Sequence, residues 1–225
     1  MRKFFGIIVC FFFIILYAQA QTSGSAGAQS LNALQNYHRG RDSEAQNRAG
    51  EANVYYNEAV RICLEEVSRN AANRDTYTVL TWTLQRQRKY SDVITWGDRG
   101  LRIYSDEYRI VETMGEAYFY LGNYERSLLY MQRYANALPQ GERVATAFFF
   151  IGEIHRLSRR YHHADIAYTT ALRFEPNIAL WWYRLATVRE QIGDRRSAID
   201  AYQQSLRLNP NYSDAREGLA RLQNN

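Results

Sequence analysis

Three of the four histidines, His155, His162 and His163, form the densest grouping of residues able to ligate a metal or move protons. A zinc centre needs three or four such ligands at spacings that converge on one point. Separations of seven and one, with Asp165 alone nearby, do not reproduce those spacings. A metal-dependent hydrolase using His155, His162 and His163 is therefore only the third functional reading. The sequence has no Gly-rich phosphate loop, no H-E-x-x-H, no G-x-S-x-G and no paired-cysteine metal motif. The expectation is a protein that is not an enzyme and needs no cofactor and no metal.

The other reactive groups point the same way. Cys10 lies in an apolar N-terminal run, and loss of that run would leave Cys63 with no intramolecular partner. Cys63 falls at an apolar phase of a predicted helix, where burial is expected. The formal net charge of +5 is modest, and acidic residues are interspersed among the arginines, so a nucleic-acid partner is not expected. Arg159-Arg160 and Arg195-Arg196 read as solvated charge at helix–helix turns. After Lys3 the only lysine is Lys89, and every other fixed cation is arginine. Arginine stacks on aromatic rings and forks onto carboxylates, and aromatic residues make up 14% of the chain. These residue types serve recognition better than catalysis.

The elements that position them follow from a repeat. Pro176 and Pro210 lie 34 residues apart, and Pro139 joins the same phase once a three-residue insertion near Gly141–Val144 is allowed for. Four units share that phase: residues 74–107, 108–141, 145–178 and 179–212. In the last, Trp182, Leu185, Ala186 and Val188 follow helical spacing, as do Ala198, Ile199, Tyr202 and Leu206 beyond a break at Gly193-Asp194. Small residues at Gly115, Gly152, Ala164, Ala186 and Ala198 allow close helix approach, and Phe148, Tyr168, Trp182 and Tyr202 fill the space between. Residues 74–107 are the most worn unit, with Gly97 where the last two units place a tyrosine and Ser105 where the other three place a proline. The polar stretch 213–225 carries Ala215, Leu219 and Leu222 at helical spacing and reads as a C-terminal capping helix.

This pattern resembles the tetratricopeptide repeat (TPR), whose signature is W-x2-L-G-x2-Y, then A-x3-F, then P. Trp182, Leu185-Ala186, Ala198, Tyr202 and Pro210 carry the match in the last unit; Ile151-Gly152, Ala164 and Pro176 carry it in the one before. Arg189 and His155 stand where the signature has tyrosine. The resemblance implies an all-α fold, a right-handed α-solenoid of antiparallel helix pairs. It also implies a concave groove lined by the first helix of each unit, at its second, fifth, ninth, twelfth and thirteenth positions. Transferred by phase, the groove residues are Thr78, Trp82, Gln85 and Arg86, then Arg109, Glu112, Glu116, Phe119 and Tyr120. Phe149, Glu153 and Arg156 follow, and then Tyr183, Thr187 and Glu190. Aromatic and arginine side chains dominate interface energies, and the glutamates are expected to favour a partner with basic residues. The lysine and asparagine clamp for C-terminal carboxylates found in chaperone-binding relatives is not matched. The competing reading of Trp82, Phe119 and Phe149 is that they fill contacts between adjacent first helices.

Ahead of the repeats, Arg2-Lys3, the apolar run Phe4–Ala18 and Ala18-Gln19-Ala20 read as a cleavable signal peptide over residues 1–20. The apolar run is short for a membrane span of about 20 residues, so no stable membrane insertion is expected after cleavage. Residues 21–29 read as a flexible leader and 30–73 as N-terminal helices with a degenerate repeat. There Tyr55-Tyr56-Asn57-Glu58-Ala59, Cys63 and Val67 form a second helix, and polar Gly40–Val54 forms its first. The expected function is a secreted TPR adaptor or scaffold in the bacterial periplasm, binding a protein or peptide in its groove within a cell-envelope complex. The alternative is a self-assembling structural protein, a homo-oligomer joined through residues 30–53 or an exposed Cys63.

Overall fold

The computed structural model describes residues 32–224, and the signal-peptide and leader readings lie outside them. The described residues form eleven helices: α1 (32–45), α2 (Ala49–Ser68), α3 (Arg74–Arg86), α4 (Tyr90–Ile103), α5 (Tyr108–Tyr120), α6 (Tyr124–Ala137), α7 (Val144–Leu157), α8 (Tyr161–Phe174), α9 (Ala179–Gln191), α10 (Arg195–Leu208) and α11 (Ser213–Asn224). No strand occurs among them, and none of these helices is long and apolar enough to cross a membrane. The chain divides into two compact units after Ile110, within the first turn of α5.

In the first unit α2 packs on α3 and α3 on α4. Helix α3 is rich in threonine, a poor helix former, yet buries Thr76, Thr78, Thr81 and Thr83. Three of the hydroxyls are absorbed locally, with Thr78, Thr81 and Thr83 donating to the carbonyls of Arg74, Tyr77 and Val79 at 3.1, 3.0 and 2.7 Å, whereas Thr76 donates to the Glu66 carboxylate of α2. Asn73 caps the helix, with its Oδ1 accepting from the Thr76 N–H and its own N–H donating to Thr76 Oγ1, both at 3.1 Å. Such a reciprocal cap satisfies donors that a helix start leaves open.

The expected first helix Gly40–Val54 is not one helix. It breaks between α1 and α2, where Asn47 takes a left-handed φ of 57° and the Arg48 N–H donates to the Ser43 carbonyl at 2.8 Å. Asparagine tolerates that conformation, which ends helices. The break lets α1 fold onto α2, with Gly40 against the buried Tyr56 ring. Cys63 is fully buried, and its thiol is pushed up to about 12 by burial and then by the charge of Glu66. An intermolecular disulfide through an exposed Cys63 is thereby contradicted.

In the second unit, small residues of one helix receive large ones of the next. The Cβ that Gly152 lacks would lie 2.6 Å from two ring carbons of the buried Tyr168. Gly218 of α11 stands in the same way over Tyr202 of α10. Ala145, Ala164, Tyr168, Trp181, Leu185, Ala186, Ala198 and Tyr202 share one core, and α11 covers its end with Ala215 and Leu222. Arg216, Glu217, Arg221 and Gln223 of α11 are exposed.

The turns inside the helix pairs use one backbone form with two chemistries. Gly122 and Gly193 take φ of 77° and 82°, each followed by a capping Asn123 or Asp194 whose side chain accepts from a backbone N–H at 3.1 Å. Arg88 and Arg159 occupy the same left-handed form at 58° and 55°. A side chain there is strained by about 1 kcal/mol. Gly193→Ala, which meets no neighbour within 4 Å, is expected to lower stability by about 1 kcal/mol through backbone strain alone. Arg159→Gly is expected to raise it by about 0.5 kcal/mol, because relief of strain outweighs the added unfolded-state entropy. Urea midpoints followed by far-UV circular dichroism read both signs.

Candidate functional site

The first helices of the second unit are joined by a row of aromatic rings. Phe119 of α5 contacts Phe150 of α7 at a centroid distance of 5.0 Å, Phe149 follows Phe150 at 5.8 Å, and Phe149 stacks on Trp181 of α9 at 5.0 Å and 12°. Edge-to-face and offset contacts of this kind add about 0.5–1.5 kcal/mol each beyond area burial. Phe119 and Phe149 thus bridge adjacent first helices and are only partly exposed. Tyr120 and Tyr124 flank Phe119 at 5.6 and 5.5 Å and open to solvent with Leu121, at 53%, 38% and 47% exposure. The row therefore ends in an uncovered apolar cluster at the α5–α6 turn.

The glutamates expected to face a basic ligand are already occupied. Glu112 and Glu116 are buried, and both accept from Arg143, whose Nη2 lies 2.9 Å from Glu112 Oε1. Burial, then the charge of Glu112, raises the Glu116 carboxyl well above the usual carboxylate range, against the pull of Arg143. Glu153, also buried, accepts from the Tyr168 hydroxyl and from Arg156 Nη2 at 2.7 Å, and pairs with Arg184 Nε at 3.2 Å. Glu190 accepts from the Tyr202 hydroxyl at 2.8 Å and from Arg221 Nε and Nη2 at 2.8 and 2.9 Å. The Arg221 guanidinium holds this carboxyl below its usual range, against the opposing effect of burial. A buried carboxylate without a counter-charge is costly, so the chain supplies its own arginines. The expectation that these carboxylates select a basic partner loses its support.

The remaining candidates divide between the units. Trp82 lies against Tyr37 of α1 at 5.6 Å with the Arg109 guanidinium 5.7 Å from its ring, and Arg109 pairs with Asp75 and Glu107. Arg86 reaches back to Glu44 of α1 at 2.9 Å, Gln85 is partly exposed, and Thr78 is fully buried. In the second unit Tyr183 packs on Tyr212 at 5.0 Å. Arg156, Thr187, Glu190, Gln191 and Arg221 line one open recess of about 480 Å³, together with Tyr161 and Val188. His155 is buried and its ring lies 5.3 Å from that of His163, while His162 is exposed. Among the described residues no group of three His, Cys, Asp or Glu side chains is placed to hold a metal.

Phase reasoning missed Phe150, Trp181, Arg143, Arg184 and Arg221. The run Phe148-Phe149-Phe150 and the pair Trp181-Trp182 offered a signal, since one residue turns a helix by about 100°. Trp181 is the buried member, whereas Trp182 is partly exposed and donates its indole N–H to the Pro176 carbonyl at 2.7 Å. Arg143 stands in the insertion that breaks the period, and Arg221 comes from the terminal helix.

Successive helix pairs, each joined by a tight left-handed turn, give the described residues a TPR-type fold, with an aromatic and arginine-bearing first-helix face in the second unit. The profile described as Tetratricopeptide repeat matches residues 179–212. MamA of AMB-1 is similar in structure, with 17% identity and a TM-score of 0.59 over 81% of this chain and 94% of that one. MamA from Desulfovibrio magneticus RS-1 gives 14% and 0.62, over 81% and 97%. A chain of the APC/C hetero-tetramer Cut9–Hcn1 gives 16% and 0.69, over 92% of this chain and 39% of that one. No curated protein matches the sequence.

Proposed function

We propose that this chain is a non-enzymatic scaffold that holds a protein partner against the first-helix face of residues 111–225, outside the cytoplasm and within a cell-envelope complex. The observation that carries the reading is the aromatic row ending at Tyr120, Leu121 and Tyr124. Apolar rings left in water beside a rigid, already ordered row provide the anchors that dominate interface energy. The extracytoplasmic periplasmic setting rests on Arg2-Lys3, the apolar run Phe4–Ala18 and Ala18-Gln19-Ala20. The absence of catalytic motifs from the sequence supports a binding role.

Affinity capture from native cells tests the reading, using the tagged chain and the variant Tyr120→Ala/Leu121→Ser/Tyr124→Ala. Each lost anchor is worth about 2 kcal/mol, so capture of the partner is expected to fall by more than about tenfold. The three residues are exposed, so the variant should keep the parent's circular dichroism. Equal capture by both proteins would place the interface elsewhere.

A further inference from the structure

The charges along this face do not cancel locally. At α5 two carboxylates, Glu112 and Glu116, both pair with Arg143. Across α7, α9 and α11 the balance reverses, and Glu153 and Glu190 are matched by three guanidinium groups: Arg156, Arg184 and Arg221. The excess cation is accessible. Side-chain exposure is 26% for Arg156, 31% for Arg184 and 54% for Arg221. Arg156 and Arg221 line the same recess of about 480 Å³, a volume suited to one or two side chains.

Both arginines are held in place before any ligand arrives. Arg221 uses Nε and Nη2 on Glu190, and its Nη1 has no hydrogen bond among the described residues. Arg156 is fixed through Nε and Nη2 on Glu153, at 3.2 and 2.7 Å. Arg184 Nε is buried beside Glu153 Oε1 yet makes no hydrogen bond there. A guanidinium with one edge pinned has lost most of its rotamer entropy and still offers donors on the other edge. The chemistry that complements two such forks is a carboxylate, which accepts short charge-assisted hydrogen bonds.

We propose that the recess between α7, α9 and α11 receives an acidic side chain of the protein partner, held by Arg156 and Arg221. This rests on the interaction face argued above and defines the partner's polarity. The bound segment presents a carboxylate at the α9–α11 end and apolar or aromatic groups at the Tyr120 end.

The test is fluorescence anisotropy on the full chain with a labelled hexapeptide, acetylated and amidated, of sequence Glu-Glu-Trp-Leu-Glu-Glu. Counterparts carrying Gln or Lys in place of Glu serve as probes of charge, and end-capping removes any terminal carboxylate. The Glu peptide is expected to bind at least about tenfold more tightly than the Gln peptide, and Arg156→Gln/Arg221→Gln to remove that advantage. Arg195→Gln/Arg196→Gln takes the same charge from an exposed turn and should weaken binding less than about twofold. Arg221→Lys keeps the charge but loses the fork, so it should also weaken binding, which keeps the test readable if the double variant unfolds. No preference for the Glu peptide, or equal losses in the two arginine pairs, overturns the acidic recess. If partner capture still depends on Tyr120, Leu121 and Tyr124 in that case, the scaffold reading stands alone; loss of that dependence too would remove both.

Discussion

Tyr168→Ala lowers the stability of the second unit by about 3–5 kcal/mol, the range for emptying a buried aromatic site, while Tyr168→Phe lowers it by about 1–3 kcal/mol. The ring is fully buried in the core that joins α7, α8 and α9. It fills the space that Gly152 leaves by having no side chain, so no neighbouring group stands ready to collapse into the void. The hydroxyl has a separate role, donating to the buried Glu153 carboxylate. Removing it alone keeps the packing and leaves one charged acceptor short of a donor. Burial and then the charge of Glu153 push the phenol far above its ordinary range, so it remains protonated and able to donate throughout neutral pH. Urea unfolding followed by circular dichroism separates the two variants. A Tyr168→Phe midpoint equal to the parent's would show that Arg156 and Arg184 satisfy Glu153 without the tyrosine.

Arg143→Gln is expected to cost about 2 kcal/mol at pH 8 and clearly less at pH 5. Breaking a buried ion pair costs about 3–5 kcal/mol, and the figure is reduced because the Arg143 side chain is half exposed and partly screened by water. The direction with pH follows from Glu116. Its folded carboxyl titrates above its unfolded value because of burial and then Glu112. Its contribution to stability is therefore fully present below the ordinary carboxylate range and is lost as pH rises through the raised folded value. Removing Arg143 takes away the group that opposes this rise, so the loss deepens on the alkaline side. Melting temperatures of parent and variant at pH 5 and pH 8 measure the difference. Adding Glu116→Gln to Arg143→Gln should recover more than half of the loss at pH 8, since the stranded charge is then gone. A pH-independent loss would assign Arg143 a packing role instead.

Both effects arise at contacts between residues far apart in sequence, which explains how unevenly the chain could be read. The helix pairs were legible because they are local facts. Spacings of three and four set the apolar stripes, Gly193-Asp194 marks a turn by its left-handed glycine and capping aspartate, and the prolines keep the phase. Tyr168 and Tyr202 could be placed in the core for the same reason. At Arg88 and Arg159 the turn persists without its glycine, because packing of the two helices enforces a conformation that the local sequence disfavours.

The candidate face was legible only in outline. Phase assignment reached Phe119, Phe149, Tyr120 and the four glutamates of the second unit, but a rotation of one residue decides whether a ring bridges two helices or meets solvent. It made Trp182 the core residue where Trp181 is buried. Residue type identified the carboxylates, whereas their charge balance came from Arg143 in an irregular insertion, Arg184 and Arg221. The sequence by itself determined the repeat, its helices and its turns, because those depend on neighbours within one or two helical turns. The tertiary structure alone decided which carboxylates are neutralised, which guanidinium groups keep a donor edge, and where the aromatic row opens, because each depends on side chains brought together by the stacking of separate helix pairs.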